Sequence, residues 1–301
     1  MSQKRRDIAA PGRRLHLQLF SLAAFNSYYL ARVGKYLCIP VLNCYSCPIG
    51  TIACPIGSLT AFALLRRIPY YIFAVLAVAG LAVGRAFCGW ACPFGFFQDL
   101  LYRIRSRKWN LPRSANWVKY AVLAVLVIGL PLLLGKGKAE SATDRIVNEK
   151  VGAVDFCGLI CPVGTLEASL PNLIMNEEVR AQAYWRTWSK IGLLGLILAL
   201  AVVSRRSFCR LLCPLGGLMA LSWPISLLRL KTNVEKCTRC NRCVKVCPTD
   251  CRFVPQEAGK PEATAECLLC LDCVRACPEA GALSAHFAGH TVSVSREKSS
   301  E

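Results

Sequence analysis

The sequence predicts a mainly α-helical fold, in which four membrane-spanning helices precede a small cysteine-rich domain of the α+β class. Three observations support this prediction. The chain has 301 residues, 54% of them are hydrophobic, and 19 are cysteines. A secreted scaffold built on disulfides would be shorter and more polar, so this cysteine usage in a long apolar chain favours metal ligation.

Two cysteine runs near the C-terminal end define the small domain. They read Cys237-x2-Cys240-x2-Cys243-x3-Cys247-Pro248 and Cys267-x2-Cys270-x2-Cys273-x3-Cys277-Pro278. This spacing is typical of a bacterial-type 2[4Fe-4S] ferredoxin domain, in which three cysteines of a run hold one cluster and the fourth ligates the other. The predicted ligands are Cys237, Cys240, Cys243 and Cys277 for cluster 1, and Cys267, Cys270, Cys273 and Cys247 for cluster 2.

Other interpretations fit these runs less well. A structural zinc ion takes four ligands, which eight cysteines in two three-plus-one runs do not match. Three thiols on one tight loop cannot all find disulfide partners of good geometry. Cys251 lies outside the pattern and is interpreted as a spare buried thiol.

Apolar stretches predict the membrane domain. The four helices are expected at about 15–37, 68–83, 117–134 and 184–203. Their apolar cores are shorter than the usual ~20 residues, so the flanks must contribute, and polar residues such as Asn26 and Arg32 interrupt the first. The predicted organisation is a basic cytoplasmic tail at 1–14, the membrane domain at 15–231, the ferredoxin domain at 232–285 and a polar tail at 286–301.

The charge distribution predicts how the chain lies in the membrane. The formal net charge is +19, and the Lys and Arg residues flank apolar stretches, which favours anionic lipid over nucleic acid as the partner. With four crossings, the bias of basic residues places both termini in the cytoplasm. No cleavable signal peptide is recognised. We therefore expect a multi-pass protein of the inner (cytoplasmic) membrane.

A repeated unit, Cys-Pro-x-Gly, follows the predicted membrane helices. It begins at Cys54, Cys92, Cys161 and Cys213, and three copies have a cysteine four residues earlier, at Cys88, Cys157 and Cys209. Proline suits the first turn of a following interfacial helix, whose positive end favours a thiolate-bound anionic cluster. The topology places one set on the inner side, which we call the inner site: Cys88, Cys92, Cys209 and Cys213.

The remaining cysteines of this domain are expected on the outer side. We call five of them the outer set, a candidate for a further iron–sulfur site: Cys44, Cys47, Cys54, Cys157 and Cys161. Five exceed the four ligands of a cluster, so the ligating subset stays open. Cys38 is the least favoured, because it lies outside the repeat and close to a helix end. A disulfide between two outer cysteines is an alternative if that face is oxidising.

Other chemistry is not indicated. The three histidines, His16, His286 and His290, lie outside the apolar helices, so they cannot supply paired axial ligands to a haem in the membrane. The sequence has no phosphate-binding loop, no dinucleotide fingerprint and no credible Ser/His/Asp set, so we predict no catalytic residues. Electrons that cross this chain must use cysteine-bound iron, a quinone or a partner subunit.

The motifs together resemble a known family. Four membrane helices, Cys88-Gly-Trp-Ala-Cys92-Pro93, Cys209-Arg-Leu-Leu-Cys213-Pro214 and the two ferredoxin runs are similar to the NapH/NosR/MauN-type membrane polyferredoxins, over most of residues 68–280. The resemblance implies transfer of electrons from membrane quinol toward an extracytoplasmic reductase. The outer set is not part of that pattern, so the partner and the terminal acceptor are left open.

These observations lead to one expected function and two alternatives. We expect a membrane-integral iron–sulfur protein that relays electrons between a cytoplasmic or quinol donor and an extracytoplasmic redox partner. It would act as an electron-transfer subunit, a candidate quinol dehydrogenase component, rather than as a self-standing enzyme. The alternatives are a thiol–disulfide electron conduit and a non-catalytic assembly or regulatory factor for a metalloenzyme.

Overall fold

The computed structural model describes residues 12–134, 155–181, 185–251 and 265–295, and it is mainly helical. The helices of the first part are α1 (Gly12–Phe25), α2 (Tyr28–Gly34), α3 (Pro55–Leu64), α4 (Tyr70–Val83), α5 (Ala86–Trp90) and α6 (Pro93–Leu101). A longer helical stretch follows, made of the 3-10 turn Arg113–Trp117, α7 (Val118–Val122), the π-helical turn Leu123–Gly129 and α8 (Leu130–Leu134).

The second part repeats this alternation of long and short helices. Its elements are α9 (Phe156–Leu159), α10 (Pro162–Gly164), the π-helical turn Thr165–Ser169, α11 (Leu170–Met175), α12 (Glu177–Ala181), α13 (Trp185–Val203), α14 (Ser207–Leu211), α15 (Pro214–Leu221) and the 3-10 turn Trp223–Ile225. The ferredoxin region adds β1 (Leu228–Thr232), α16 (Arg242–Val246), α17 (Asp272–Ala276), β2 (Leu283–Phe287) and β3 (His290–Val294).

The prediction of one continuous helix at 15–37 is wrong. The helix breaks between α1 and α2, where Ser27 has the extended backbone of an N-cap and Asn26 donates its side-chain N–H to the carbonyl of Leu22. Asn and Ser bond to nearby backbone groups, and this competes with continuation of a helix. Cys38 and Ala53 then form a parallel bridge at the ends of a loop whose first residues, such as Val41 and Leu42, are buried.

One helical stretch of the described residues is long and apolar enough to cross a membrane, Ser114–Leu133, with 20 residues. It covers the predicted helix at 117–134. The helices α4 and α13 occupy the two other predicted stretches, but their apolar parts are shorter. Four membrane crossings therefore remain a prediction.

The helices that follow the Cys-Pro pairs were predicted to lie at the membrane interface, and for α15 this is wrong. Leu215 and Met219 of α15 are almost fully buried, and they share one apolar core with Phe94 of α6, Ile56 of α3 and Val163 of α10. These apolar side chains face the centre because burial of each stabilises the fold by about 1.5–3 kcal/mol. Short helices with buried N-terminal ends thus fill the centre of the domain.

The ferredoxin region is larger than predicted. Its antiparallel sheet has the order β1-β2-β3, so β1 begins before position 232 and β3 lies within the predicted polar tail at 286–301. The β2–β3 hairpin turns at Ala288 and Gly289, which both have positive φ, as the favoured two-residue hairpin requires. Sequence analysis missed β3 because its Thr and Ser residues resemble a solvated tail. Residues 1–11 and 296–301 lie outside the described residues.

Buried ion pairs fix the ferredoxin region against the helical domain. Arg14 Nη1 contacts Asp272 Oδ2 at 2.9 Å, and its Nη2 contacts Asp99 Oδ2 at 3.0 Å. Arg206 Nη2 reaches the same Asp99 oxygen at 2.7 Å. Arg14 belongs to the predicted basic cytoplasmic tail at 1–14, and its side chain is 4% exposed, because two carboxylates hold it between the domains.

Candidate metal centres

The eight ferredoxin cysteines surround two cavities. One is lined by Cys237, Cys240, Cys243 and Cys277, and the other by Cys247, Cys267, Cys270 and Cys273. The structure thus brings together the three-plus-one sets that the spacing predicts. Four thiols around one hollow fit a [4Fe-4S] cluster, whose corners each take one thiolate.

The two loops that line these cavities share an uncommon backbone. Arg239 and Asn241 in the first loop have positive φ, and so do Leu269 and Leu271 at the same positions of the second loop. Non-glycine residues rarely adopt this conformation. When residues of left-handed and right-handed backbone conformation follow one another, the chain curls and its backbone N–H groups point into the concave side. Such curled loops are known as anion-binding nests. The backbone N–H of Leu269, for example, lies 3.4 Å from Cys267 Sγ.

Cys251 is buried, as predicted, beside the second cavity. Its backbone N–H donates to Cys247 Sγ at 3.3 Å, and its own sulfur lies 3.3 Å from Thr249 Oγ1. It therefore supports the position of a predicted cluster 2 ligand.

The structure also brings the four cysteines of the inner site together. Burial raises the pKa of the Cys92 thiol to about 12, and the neighbouring Cys209 and Cys88 add to this. Burial likewise raises the pKa of Cys213, with Cys209, Cys88 and Cys92 as its electrostatic neighbours. These neighbours come from α5, α14 and the ends of α6 and α15, so two distant segments form one thiol set.

The Cys-Pro-x-Gly repeat has a structural explanation. Each second cysteine of the repeat is the N-cap of the following helix, and proline occupies the first helical turn: Cys54, Cys92, Cys161 and Cys213. The glycine N–H donates to the N-cap sulfur, at 3.4 Å for Gly164 and 3.3 Å for Gly216. An N-cap that accepts hydrogen bonds at the positive helix end suits a thiolate that holds iron.

Several residues beside the inner site were not predicted from the sequence. Gln98, fully buried in α6, donates its Nε2 to Cys209 Sγ at 3.2 Å and accepts from the backbone N–H of Phe208 at 3.2 Å. Arg206 donates to the carbonyl of Cys88 at 2.7 Å. The sequence feature that could have identified Gln98 is that two polar residues, Gln98 and Asp99, occur within the apolar run that follows Cys92.

Arg206 also connects the inner site to the ferredoxin region. Its guanidinium interacts electrostatically with both Cys209 and Cys270, a predicted ligand of cluster 2. Trp90 Nε1 donates to the carbonyl of Leu269 at 2.9 Å. A Cβ on Gly89 would lie only 2.5 Å from the carbonyl oxygen of Leu268, so the two loops are in close contact.

A second charged group lies beside the inner site. Arg85 Nη1 contacts Glu266 Oε2 at 2.7 Å, and Lys119 Nζ binds the same carboxylate oxygen. Arg85 interacts electrostatically with Cys88 and Cys209. Buried cations therefore offset the negative charge that a thiolate-bound cluster would bring.

The outer set divides into two groups in the structure. The electrostatic neighbours of Cys157 include Cys161, Cys54 and Cys44, and those of Cys161 include Cys54 and Cys44. Cys47 lies against Cys44. Outside the set, Cys38 lies against Cys54. Four of the five predicted outer cysteines are therefore linked as electrostatic neighbours, and Cys47 is a neighbour of one of them, Cys44.

The inner and outer groups lie closer together than predicted. The sequence placed them at opposite membrane surfaces, separated by a hydrocarbon core of ~30 Å. In the structure, the backbone of Leu42 lies beside Cys92, and that of the next residue, Asn43, lies beside Cys54. Two adjacent residues therefore contact one cysteine of each group. The separation fails because residues 38–44 enter the core instead of staying at a surface.

The described residues contain no group of three His, Cys, Asp or Glu side chains that converge closely enough to hold one metal ion. The sulfur ligands of a zinc ion lie about 3.8 Å apart, because Zn–S bonds are about 2.3 Å long. The ferredoxin thiols of each set instead line a hollow between them, as the ligands of a cluster of several atoms do.

Two protein families match the chain, and both are described as a 4Fe-4S binding domain. One matches residues 67–112, 155–169 and 187–234, which include the three Cys-x3-Cys-Pro units. The other matches residues 230–253, which include the first ferredoxin run. No solved structure matches the chain.

Curated relatives match over most of the chain. An uncharacterized protein of Methanocaldococcus jannaschii is 27% identical over 223 residues, 74% of this chain and 72% of the relative. The putative electron transport protein YccM of Escherichia coli is 23% identical over 82% of this chain and 62% of its own length. Ferredoxin-type protein NapH of Escherichia coli is 24% identical over 68% and 63%. Proteins named NosR and MauN also match.

The family matches and the thiol sets together show that the chain binds [4Fe-4S] clusters. The ligand sets stay predictions, and so does the use of a quinone.

Proposed function

Because the chain is a 4Fe-4S ferredoxin-type protein of the NapH/NosR/MauN type, we propose that it is a membrane-integral electron-transfer protein. It relays electrons between a cytoplasmic or quinol donor and an extracytoplasmic redox partner. It works as an electron-transfer subunit, in the manner of a quinol dehydrogenase component, and not as a self-standing enzyme.

The observation that carries this proposal is that each thiol set neighbours the next one. Cys243 and Cys273 are electrostatic neighbours, which links the two ferredoxin sets. Arg206 has both Cys270 and Cys209 as electrostatic neighbours, which links the second ferredoxin set to the inner site. Leu42 beside Cys92 and Asn43 beside Cys54 link the inner site to the outer cysteines. A storage or structural role would not require thiol sets that neighbour one another in this way.

The iron–sulfur clusters supply the one-electron redox chemistry, and the chain's own residues control its conditions. Gln98 donates a hydrogen bond to a predicted inner ligand, and hydrogen bonds to sulfur raise a cluster's reduction potential. Arg206 and Arg85 provide fixed positive charge beside the thiolates. The buried core around the inner site excludes water, which is a further determinant of potential.

Exposed apolar side chains support a position in the membrane. Phe20, Val78, Leu133 and Leu196 are each more than half exposed, and they belong to four different long helices. A surface with many large apolar residues indicates contact with a membrane or a partner. Together with the candidate span Ser114–Leu133, this favours lipid as the surroundings of the helical domain.

The proposal can be tested with inverted membrane vesicles that contain the full-length chain and hold ferricyanide inside. Photoreduced deazaflavin outside the vesicles supplies electrons to the ferredoxin region. We expect reduction of the enclosed ferricyanide by the wild-type chain and loss of most of this activity in Cys209→Ser, because that change removes a predicted inner ligand. Cys38→Ser is the matched control, since it lies outside the predicted ligand sets.

Equal rates for Cys209→Ser and the wild type would contradict the proposal. The thiol–disulfide alternative predicts another pattern, in which N-ethylmaleimide abolishes transfer although the iron content is unchanged. The assembly-factor alternative predicts that neither protein transfers electrons to the enclosed acceptor.

A further inference from the structure

We propose that Cys44, Cys54, Cys157 and Cys161 hold a fourth [4Fe-4S] cluster, and that Cys38 and Cys47 do not ligate it. We call these four residues the outer four. The inference extends the proposed electron path by one centre, but it rests on the position of the thiols alone. It would therefore stand even if the chain did not transfer electrons.

The first argument is the convergence of the four thiols. Cys161 and Cys44 both place their Sγ atoms within 4 Å of a Cβ built on Gly164. Cys161, Cys54 and Cys44 are electrostatic neighbours of Cys157, together with the carboxylate of Asp155. Cys54 and Cys44 are also electrostatic neighbours of Cys161.

The second argument is that two glycines leave room for the sulfur atoms. A Cβ on Gly57 would meet Cys157 Sγ at 3.7 Å, and one on Gly164 would meet Cys161 Sγ at 3.8 Å and Cys44 Sγ at 3.9 Å. The glycines belong to the Cys-Pro-x-Gly units that begin at Cys54 and Cys161. Each unit therefore faces a sulfur atom of the other half of the set.

The third argument is the similarity to the inner site. That site takes two cysteines from each of two Cys-x3-Cys-Pro units, and Cys157 and Cys161 form a third unit of this kind. The fourth unit, at Cys54, has Gly50 at the position of the missing cysteine. Cys44 supplies the missing thiol from the preceding loop, and a Cβ on Gly50 would lie 2.6 Å from the Cys44 carbonyl oxygen.

The fourth argument is the way in which Cys44 is held. Its backbone N–H donates to Glu167 Oε2 at 2.8 Å, and Glu167 lies one turn and a half beyond Cys161 on the helix that Cys161 caps. This bond fastens the loop of the first half to the helix of the second half. By contrast, Cys38 pairs through its backbone with Ala53, and Cys47 packs near Gly50.

The helix ends favour an anionic cluster at this position. Cys54 caps α3, which has 10 residues, and Cys161 caps the continuous helical stretch that begins with α10. The N–H of Gly164 at one of these helix ends donates to Cys161 Sγ, and the helix dipoles favour negative charge there. Two helix N-caps, Cys54 and Cys161, and the helical Cys157 match the inner site, whereas Cys44 comes from a loop.

The test is iron and acid-labile sulfide analysis of the full-length chain after anaerobic purification, with EPR of the reduced protein. With four clusters of four iron atoms, we expect about sixteen iron atoms per wild-type chain and about twelve for Cys157→Ser and for Cys44→Ser. Cys47→Ser and Cys38→Ser are the matched controls and should keep about sixteen. The ferredoxin EPR signals, which should persist in every variant, report that the chain is folded.

Three outcomes would overturn the inference. The first is a wild-type chain with about twelve iron atoms and a disulfide within the outer four by mass spectrometry. The second is a loss of the same four iron atoms in Cys47→Ser. The third is a Cys44→Ser chain that keeps its full iron content. Failure of ferricyanide reduction in vesicles with all iron present would contradict the proposed function alone.

Discussion

Arg206 combines two features that are costly on their own. Its side chain is completely buried, and its φ of 51° places a non-glycine residue in the left-handed region. Asp99 compensates for the first cost through two hydrogen bonds, at 3.0 and 2.7 Å. Burial raises the pKa of Asp99, but Arg206 and Arg14 outweigh this and hold it below its usual range. The pair therefore stabilises the fold at neutral pH, and its contribution is lost as the pH falls through that lowered pKa.

Replacement of Arg206 should be strongly destabilising. Arg206→Met leaves Asp99 without its main partner, and removal of one member of a buried pair costs about 3–5 kcal/mol. Thermal unfolding in detergent, followed by tryptophan fluorescence, measures the change. Arg180→Met is the control, because its pair with Glu177 is exposed and such pairs contribute about 0–1 kcal/mol. Equal melting temperatures for the two variants would contradict the structural role of Arg206.

Gly89 should tolerate no larger residue. Its substitution by alanine would place a Cβ 2.5 Å from the backbone carbonyl of Leu268, so the contact between the inner loop and the ferredoxin loop must open. Such overpacking costs about 1–3 kcal/mol. We expect faster hydrogen exchange around Leu268 in Gly89→Ala. Gly195→Ala, where no atom lies within 4 Å, should leave exchange unchanged.

At the scale of elements, short buried helices capped by cysteine organise the thiol sets. The sequence predicted where these helices begin, because a Cys-Pro pair marks an N-cap and a first turn. It did not predict that α15 would be buried, since hydropathy cannot distinguish an apolar face that meets lipid from one that meets protein. Asn26 was recognised as an interruption of the first stretch, but the end of the helix there was not predicted, because a few polar residues barely change the apolar content of a stretch of that length.

Gln98 should set the potential of the inner cluster. Gln98→Leu removes the donor to Cys209 Sγ, so the reduced cluster loses stabilisation and its reduction potential should fall. EPR-monitored redox titration measures the change, and the ferredoxin clusters in the same sample serve as the internal control. An unchanged inner potential, or an equal fall in all the clusters, would contradict this role.

At the scale of the whole molecule, the order of the thiol sets depends on contacts between segments far apart in sequence. The spacing of the two cysteine runs predicted the members of both ferredoxin sets, because short-range geometry dictates them. The approach of Leu42 to Cys92 could not be predicted, since nothing in residues 38–44 indicates that this loop enters the core. The expected distance between the inner and outer groups was wrong for that reason.

The predicted topology places the ferredoxin region in the cytoplasm. A green fluorescent protein fused after Glu301 should therefore fluoresce, and alkaline phosphatase fused at the same point should be inactive, because it requires an oxidising compartment for its disulfides. The membrane fraction should retain the chain after a high-salt wash. Active phosphatase, together with a green fluorescent protein fusion that does not fluoresce, would contradict the predicted cytoplasmic position of the C-terminus.

The inner site and the outer four each take their members from two distant parts of the chain. The inner site joins residues 88–92 to residues 209–213, and the outer four join residues 44–54 to residues 157–161. Iron bound in this way closes large loops, as a disulfide between the same segments would. Neither centre can be completed until the ribosome has made the second segment, so the order of synthesis dictates that metal insertion comes late in biogenesis.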